Sequence, residues 1–220
     1  MEDLGFKQTK EEIQIAGFPD AVKVVQITGE KAKRLADLTL HRTDLKFAVG
    51  YLEGINLVAE ESEWLRTGLW HSAIVHFMKC FGSSKSRVSL NPKKVYKGNK
   101  VARKVFEYFG SLRDKHLVHD ENSYTQCYPG TILNKKGCDH QIAKIICVAF
   151  VSVTLDQAGY SNLCLLTTHA LKWVEEQIED LCNVLTSELE AVPYDDLFSR
   201  KEIVYSPPKV EEIGKPRATP

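Results

Sequence analysis

Apolar residues recur at helical spacing along most of this chain. From Glu30 to about Glu60, Leu35, Leu38, Leu45, Ala48, Leu52, Ile55 and Ala59 fall mostly three or four positions apart, which predicts a long amphipathic helix. Ser62 is placed to cap a second helix, in which Leu65, Leu69, Trp70, Ile74, Phe77, Met78 and Phe81 follow until Gly82. Its apolar residues lie on more than one face, so it is expected to be the central helix. A third helix is expected from about Asn99 to Leu117, carrying Val101, Val105, Tyr108, Phe109 and Leu112. The strongest stripe runs over Ser161 to Glu190, where Leu163, Leu166, Ala170, Trp173, Val174, Ile178, Leu181, Leu185 and Leu189 oppose an acidic face.

Between the third and fourth helices the pattern changes. Tyr124 to Leu133 and Ile142 to Leu155 are rich in β-branched and aromatic residues and flank a turn-like Asn134 to Asp139, which predicts a β-hairpin. The expected fold is mainly α, a four-helix bundle with a β-hairpin inserted before the last long helix. Residues 1–29 read as an N-terminal extension, 30–192 as the helical domain with its hairpin near 123–156, and the proline-dotted 193–220 as a flexible tail.

The 220 residues suffice for one sizeable core. No apolar run is long enough to span a bilayer and the N-terminus carries no apolar leader, so a cytoplasmic protein is expected. Six cysteines at scattered spacings, none in a CxxC pair, suggest reduced and mostly buried thiols. The 29 basic and 29 acidic residues cancel, yet Gly82 to Phe106 holds Lys85, Arg87, Lys93, Lys94, Lys97, Lys100, Arg103 and Lys104 with no acidic residue. This run is either a solvated loop or a phosphate-tracking surface. Lys93, Lys94, Lys97, Lys100, Arg103 and Lys104 are its candidate RNA contacts.

Candidate chemistry concentrates in FEYFGSLRDKHLVHDEN, residues 106–122, where an arginine and two histidines stand at the point at which an apolar helical face gives way to a polar loop. Arginine offers a charged fork for phosphate oxygens, and histidine exchanges protons near neutral pH. Three Arg and His pairs have the same loose spacing, Arg34 with His41, Arg66 with His71 and Arg113 with His119. His41 and His71 lie within packed stripes and read as structural; only at Arg113 do polar groups converge at a helix end. Arg113 and His116, three apart, share a helical face, whereas Arg113 and His119 stand about 120° apart on an ideal helix, so the helix must bend or fray if His119 is to join the arginine. The plain alternative is a helix C-terminus on which Lys115 and His116 complement the helix dipole.

His76 with Cys80, and Cys138, Asp139 and His140, do not reach a recognised metal-ligand set, and no P-loop, GxGxxG, GxSxG or HExxH motif occurs. No metal or cofactor is expected.

With LRDKHLVHD inside a four-helix pattern, the chain resembles the HEPN domains (higher eukaryotes and prokaryotes nucleotide-binding), in particular their abortive-infection-like bacterial branch. Arg113, Asp114 and His119 match the family pattern of an arginine, a polar residue and a later histidine, over a likeness reaching from Glu30 to about Glu190. The resemblance implies a metal-independent endoribonuclease, a toxin or phage-defence effector, working as a homodimer with two motif copies across a cleft. His119, or His116 in its place, would then move protons, Arg113 would stabilise phosphate charge, and Asp114 would orient His119 or Arg113. The alternative that it admits is a non-catalytic nucleotide- or protein-binding module, for which a nucleotidyltransferase-type antitoxin is one candidate partner.

Overall fold

The computed structural model describes residues 7–8, 13–14, 17–55, 62–83, 86–119, 121–203, 207 and 209–215. Two short strands, β1 (Lys7–Gln8) and β2 (Ile13–Gln14), pair antiparallel near the N-terminus. The helices then follow: α1 (Glu30–Glu53), α2 (Glu63–Lys79), the short α3 (Pro92–Val95) and α4 (Lys100–Leu112), which runs on into a π-helical turn, Arg113–Val118. An antiparallel hairpin of β3 (Thr125–Leu133) and β4 (Ile142–Val151) precedes α5 (Gln157–Glu190), and the short α6 (Tyr194–Phe198) and a 3-10 turn (Val210–Glu212) end the chain. The mainly helical fold with an inserted hairpin is as the periodicity predicted.

Local chemistry sets the boundaries. The Asn91 side chain accepts from the Lys93 amide, Asn99 from Ala102, and Asp156 from Gly159, each satisfying a donor left free at a helix start. Gly29, at φ 102°, turns the chain into α1 in a conformation that a side chain would strain. Ser62 stands at the expected cap position but makes no capping hydrogen bond. The first helix ends at Glu53; the part of its predicted span from 56 to 60 lies outside the described residues.

α1 packs antiparallel to α5, with the Tyr160 hydroxyl donating to the Leu52 carbonyl at 3.1 Å near one end and Lys31 paired with Glu188 near the other. α2 lies on α1, and α4 closes the bundle through Trp70 edge-on to Phe109, at 5.9 Å, and Phe77 edge-on to Phe106, at 6.1 Å. Leu45, Ala48, Trp70, Phe77, Phe109, Leu163 and Val174 are wholly or almost wholly buried, and each large apolar side chain hidden in this way contributes roughly 1.5–3 kcal/mol. Trp173 and Leu181 are half-buried on the same α5 stripe.

Three expectations are qualified. α2 packs against α1, α4 and the π-helical turn, but Trp64, Leu65 and Val75 on its second apolar face stay exposed. The thiols are not mostly buried: Cys127, Cys138, Cys147 and Cys182 are exposed, because the hairpin turns both faces to solvent and Cys182 lies on the outside of α5. In the segment expected to be a flexible tail, described residues up to Ile203 lie against the N-terminal extension, with Gln26 N–H donating to Lys201 O at 2.7 Å, Ile203 N–H to Val24 O at 3.1 Å, and the Lys23 ammonium 4.8 Å from the Phe198 ring centroid. Backbone pairing and a cation over an aromatic face hold a stretch too polar to make its own core.

Candidate functional site

A buried polar stripe on α1 organises the surroundings of the candidate site. Asp37, His41 and Asp44 are spaced four and three apart and are all buried, so they share one face of the helix, and that face meets the segment leading out of α2. The Asp37 carboxylate accepts from the Val88 amide at 3.1 Å, and the His41 Nε2–H donates to the Val88 carbonyl at 2.8 Å. Burial lowers His41 to about 4, beyond what its bond to Val88 restores, so the ring is neutral at pH 7. This is the structural histidine that its stripe predicted.

Asp44 gathers cations. Arg87 donates to its Oδ2 at 2.7 Å, Lys79 to its Oδ1 at 2.9 Å, and the His76 Nδ1 lies 3.1 Å from Oδ1. Burial pushes this carboxyl up, but the hydrogen bonds and charges of Lys79 and Arg87 outweigh burial and hold it below the ordinary carboxylate value. Arg87 is anchored a second time, through a 3.2 Å bond to the Lys79 carbonyl. Nearby, burial among these helices pushes the Cys80 thiol up to about 12, so it stays protonated.

Arg113 faces this cluster. Its side chain lines a hollow of about 490 Å³ together with Asp44, His76, Lys79 and Arg87, the hydroxyl-bearing Thr43, Ser83 and Ser86, and Phe47. Among its described lining residues, three permanent cations thus border one opening with a single carboxylate. Asp114, outside the hollow, accepts from Arg113 Nη1 at 2.5 Å; of the two groups that Asp114 was expected to orient, it touches the arginine.

The other motif residues diverge. His116 does not share the Arg113 face as its three-residue offset predicted. The chain winds as a π-helical turn from Arg113 to Val118, and this wider i to i+5 turn leaves residues three apart short of a common face. His116 instead packs edge-on to Tyr124 at 5.4 Å, with its Nδ1 buried and unpartnered, and lines a second cleft of about 230 Å³ with His71, Trp64, Trp70 and Thr154. Burial, and then the His116 charge, lower the His71 pKa. His119 is exposed and already extended, at φ −132° and ψ 136°. The helix therefore does end before His119, and the turn is closed by the Glu121 amide on the Lys115 carbonyl at 3.0 Å and by the Lys115 and Glu121 side chains.

The basic run divides as well. Tyr96 in its middle is buried, its hydroxyl donating to Leu166 O at 3.1 Å, and this pins the run to α5. Lys93, Lys100, Arg103 and Lys104 border a shallow hollow of about 290 Å³ with Pro92, Phe106 and Glu107, while Lys97 edges a separate, more apolar groove between α4 and α5; Lys94 is exposed. Among the described residues, no group of three metal-ligating side chains forms.

Asp44, His76, Lys79 and Arg87 were not singled out as a site by sequence reasoning. The available signal was the run of Asp37, His41 and Asp44 at helical spacing inside an apolar stripe, since buried acids require partners. No family model, curated protein or solved structure matches this chain. No helix among the described residues is long and apolar enough to cross a membrane.

Proposed function

We propose that this protein is a HEPN-like RNA-binding domain that cleaves RNA without a metal ion, as a homodimer. The observation that carries this reading is the position of Arg113 on the rim of a hollow that also holds Lys79 and Arg87. Phosphodiesters are recognised by such convergent cations, and guanidinium forks match their oxygens in pairs. His119, exposed in extended chain just beyond the turn, is accessible to exchange a proton with a ribose hydroxyl or a leaving oxygen. A twofold dimer brings two copies of the Arg113 to His119 segment to one cleft through a single self-complementary surface. The separate basic hollow at Lys93, Lys100, Arg103 and Lys104 supplies further phosphate contacts in this reading, so binding weakens as salt rises. Such an activity suits a toxin or phage-defence effector.

A second reading has its own support. Arg113 and His116 open onto different hollows within one chain, which fits a non-catalytic module that holds a nucleotide or a nucleotidyltransferase-type partner.

RNA degradation in EDTA separates the two. Metal-independent cleavage that falls about 10²-fold or more in both Arg113→Ala and His119→Ala, with unchanged melting temperature, supports the nuclease. Cleavage that persists in His119→Ala and disappears in His116→Ala moves the proton-transfer role to the second cleft. Binding without cleavage in the wild type supports the module. Light scattering that shows only monomer at micromolar concentration removes the shared cleft.

A further inference from the structure

The cationic hollow has an aromatic wall. Phe47 and Tyr51 are four apart on α1 and therefore stand one turn above the other on the same face, with ring centroids 6.4 Å apart and planes 23° from parallel. His76 crosses from α2 to meet both, at 5.3 Å from Phe47 and 5.5 Å from Tyr51. His76 is held there by its 3.1 Å contact to Asp44, the carboxylate that also anchors Lys79 and Arg87. One buried acid thus positions an aromatic shelf and a set of cations side by side.

Phe47 is 51% exposed although it adjoins a packed bundle, and it lines the hollow rather than the core. Beyond it stand the Lys79 and Arg113 side chains, 56% and 42% exposed. Lys79 has given one hydrogen bond to Asp44 and Arg113 one to Asp114, and an ammonium carries three donors and a guanidinium five. Arg87, at 10% exposure and doubly anchored, keeps the opening positive from beneath. The hollow of about 490 Å³ is within the size range of small-ligand sites.

We infer that this hollow is a nucleotide subsite for single-stranded RNA, with a base stacked on the exposed face of Phe47 and the adjoining phosphate held between Lys79 and Arg113. The subsite rests on the RNA-binding reading above and adds to it the part of the substrate that Phe47 contacts. Its chemistry selects for a flat, unpaired base joined to an anion. A duplex hides its base faces, and inorganic phosphate offers nothing to the shelf. Stacking accepts any base, so the subsite orders a strand without reading its sequence. Asp44 holds the shelf and the cations in place but does not contact RNA.

Fluorescence anisotropy with the full chain tests this, using a labelled uridine hexamer whose 2′-hydroxyls are methylated against cleavage and an abasic hexamer with the same phosphates and the same blocked hydroxyls. Phe47→Leu is expected to weaken hexamer binding about tenfold, within the range of stacking losses, and to leave abasic binding unchanged. Lys79→Ala is expected to weaken both, and circular dichroism on each variant shows that the bundle is intact. Wild type that binds the two oligomers equally, or that binds neither, overturns the subsite, as does a Phe47→Leu variant that binds the hexamer like wild type. Loss of cleavage dependence on His119 with Phe47-dependent binding retained sinks the nuclease and leaves the subsite standing. His119-dependent cleavage with no Phe47 effect does the reverse.

Discussion

The charges around Asp44 and those at the end of α4 are both rich in arginine and lysine, but they are held in opposite ways. At Asp44 a buried carboxylate takes Arg87, Lys79 and the His76 ring, and the neighbouring Asp37 and His41 clamp Val88 from both sides. At the helix end, Arg113 pairs with Asp114, and Lys115 with Glu121, in water, with every one of these side chains more than 40% exposed. A buried charge must be partnered, so Asp44 and the largely buried Arg87 hold one another, while Lys79, also bound to Asp44, stays open to solvent. Exposed pairs contribute little to stability and are screened by salt, so the second cluster is free to exchange its partners for a ligand. Stability thus resides in the Asp44 and Arg87 pair, and accessibility in Lys79 and Arg113, the exposed cations that the two clusters bring to one hollow.

The largest effect should come from Asp44→Asn, which leaves the buried Arg87 without its counter-charge. A loss of about 3 kcal/mol or more is expected in urea denaturation at pH 7. Because the folded Asp44 pKa is depressed, its contribution is fully present above the ordinary carboxylate value. It is lost as pH falls through the lower folded value, so wild type and variant should converge in strong acid. Equal stability at pH 7 would show that the cluster is no firmer than the exposed pairs.

His41 sharpens the same contrast by titration. The folded ring titrates near 4 and the unfolded ring near 6.5, so between these values the unfolded chain binds more protons and stability falls as pH falls. On the order of 2–3 kcal/mol should be lost from pH 7 to pH 4, and His41→Gln, which keeps a donor for the Val88 carbonyl, should remove that part of the slope. A wild-type stability curve flat across this window would contradict a neutral buried ring.

The smallest effect belongs to the exposed pair. Glu121→Gln should leave the melting temperature within experimental error of the wild type, at low salt and at high salt alike. A marked drop would mean that the Lys115 to Glu121 closure is structural, and it would count against reading the segment after α4 as adaptable.

Much of the fold was legible because it depends on periodicity. The α5 stripe from Leu163 to Leu185 and the helical path ending near Leu117 are one-dimensional patterns of burial, and the hairpin from Tyr124 shows in its β-branched and aromatic composition. Exposure was less legible. Trp64 and Leu65 carry the same apolar signal as Trp70 and Ile74, yet they stay exposed, as do most apolar side chains of the hairpin strands. At the candidate site, Arg113 and the end of the helix before His119 could be read from residue type and spacing. The divergence of Arg113 and His116 could not, because it arises from a π-helical turn whose winding depends on neighbouring packing. Asp44 and Arg87, 43 residues apart in the chain and 2.7 Å apart in space, could be joined only by folding.

The amino-acid order by itself determined the helices, the hairpin and the placing of an arginine and histidines at a helix end, because each follows from local propensity and from the period of apolar positions. Only the tertiary structure decided which charges share a hollow. Whether Arg113 stands beside Lys79, Arg87 and Phe47 or beside His116 depends on how α1, α2 and α4 pack, and helix packing is set by the shapes of side chains brought together from distant parts of the chain.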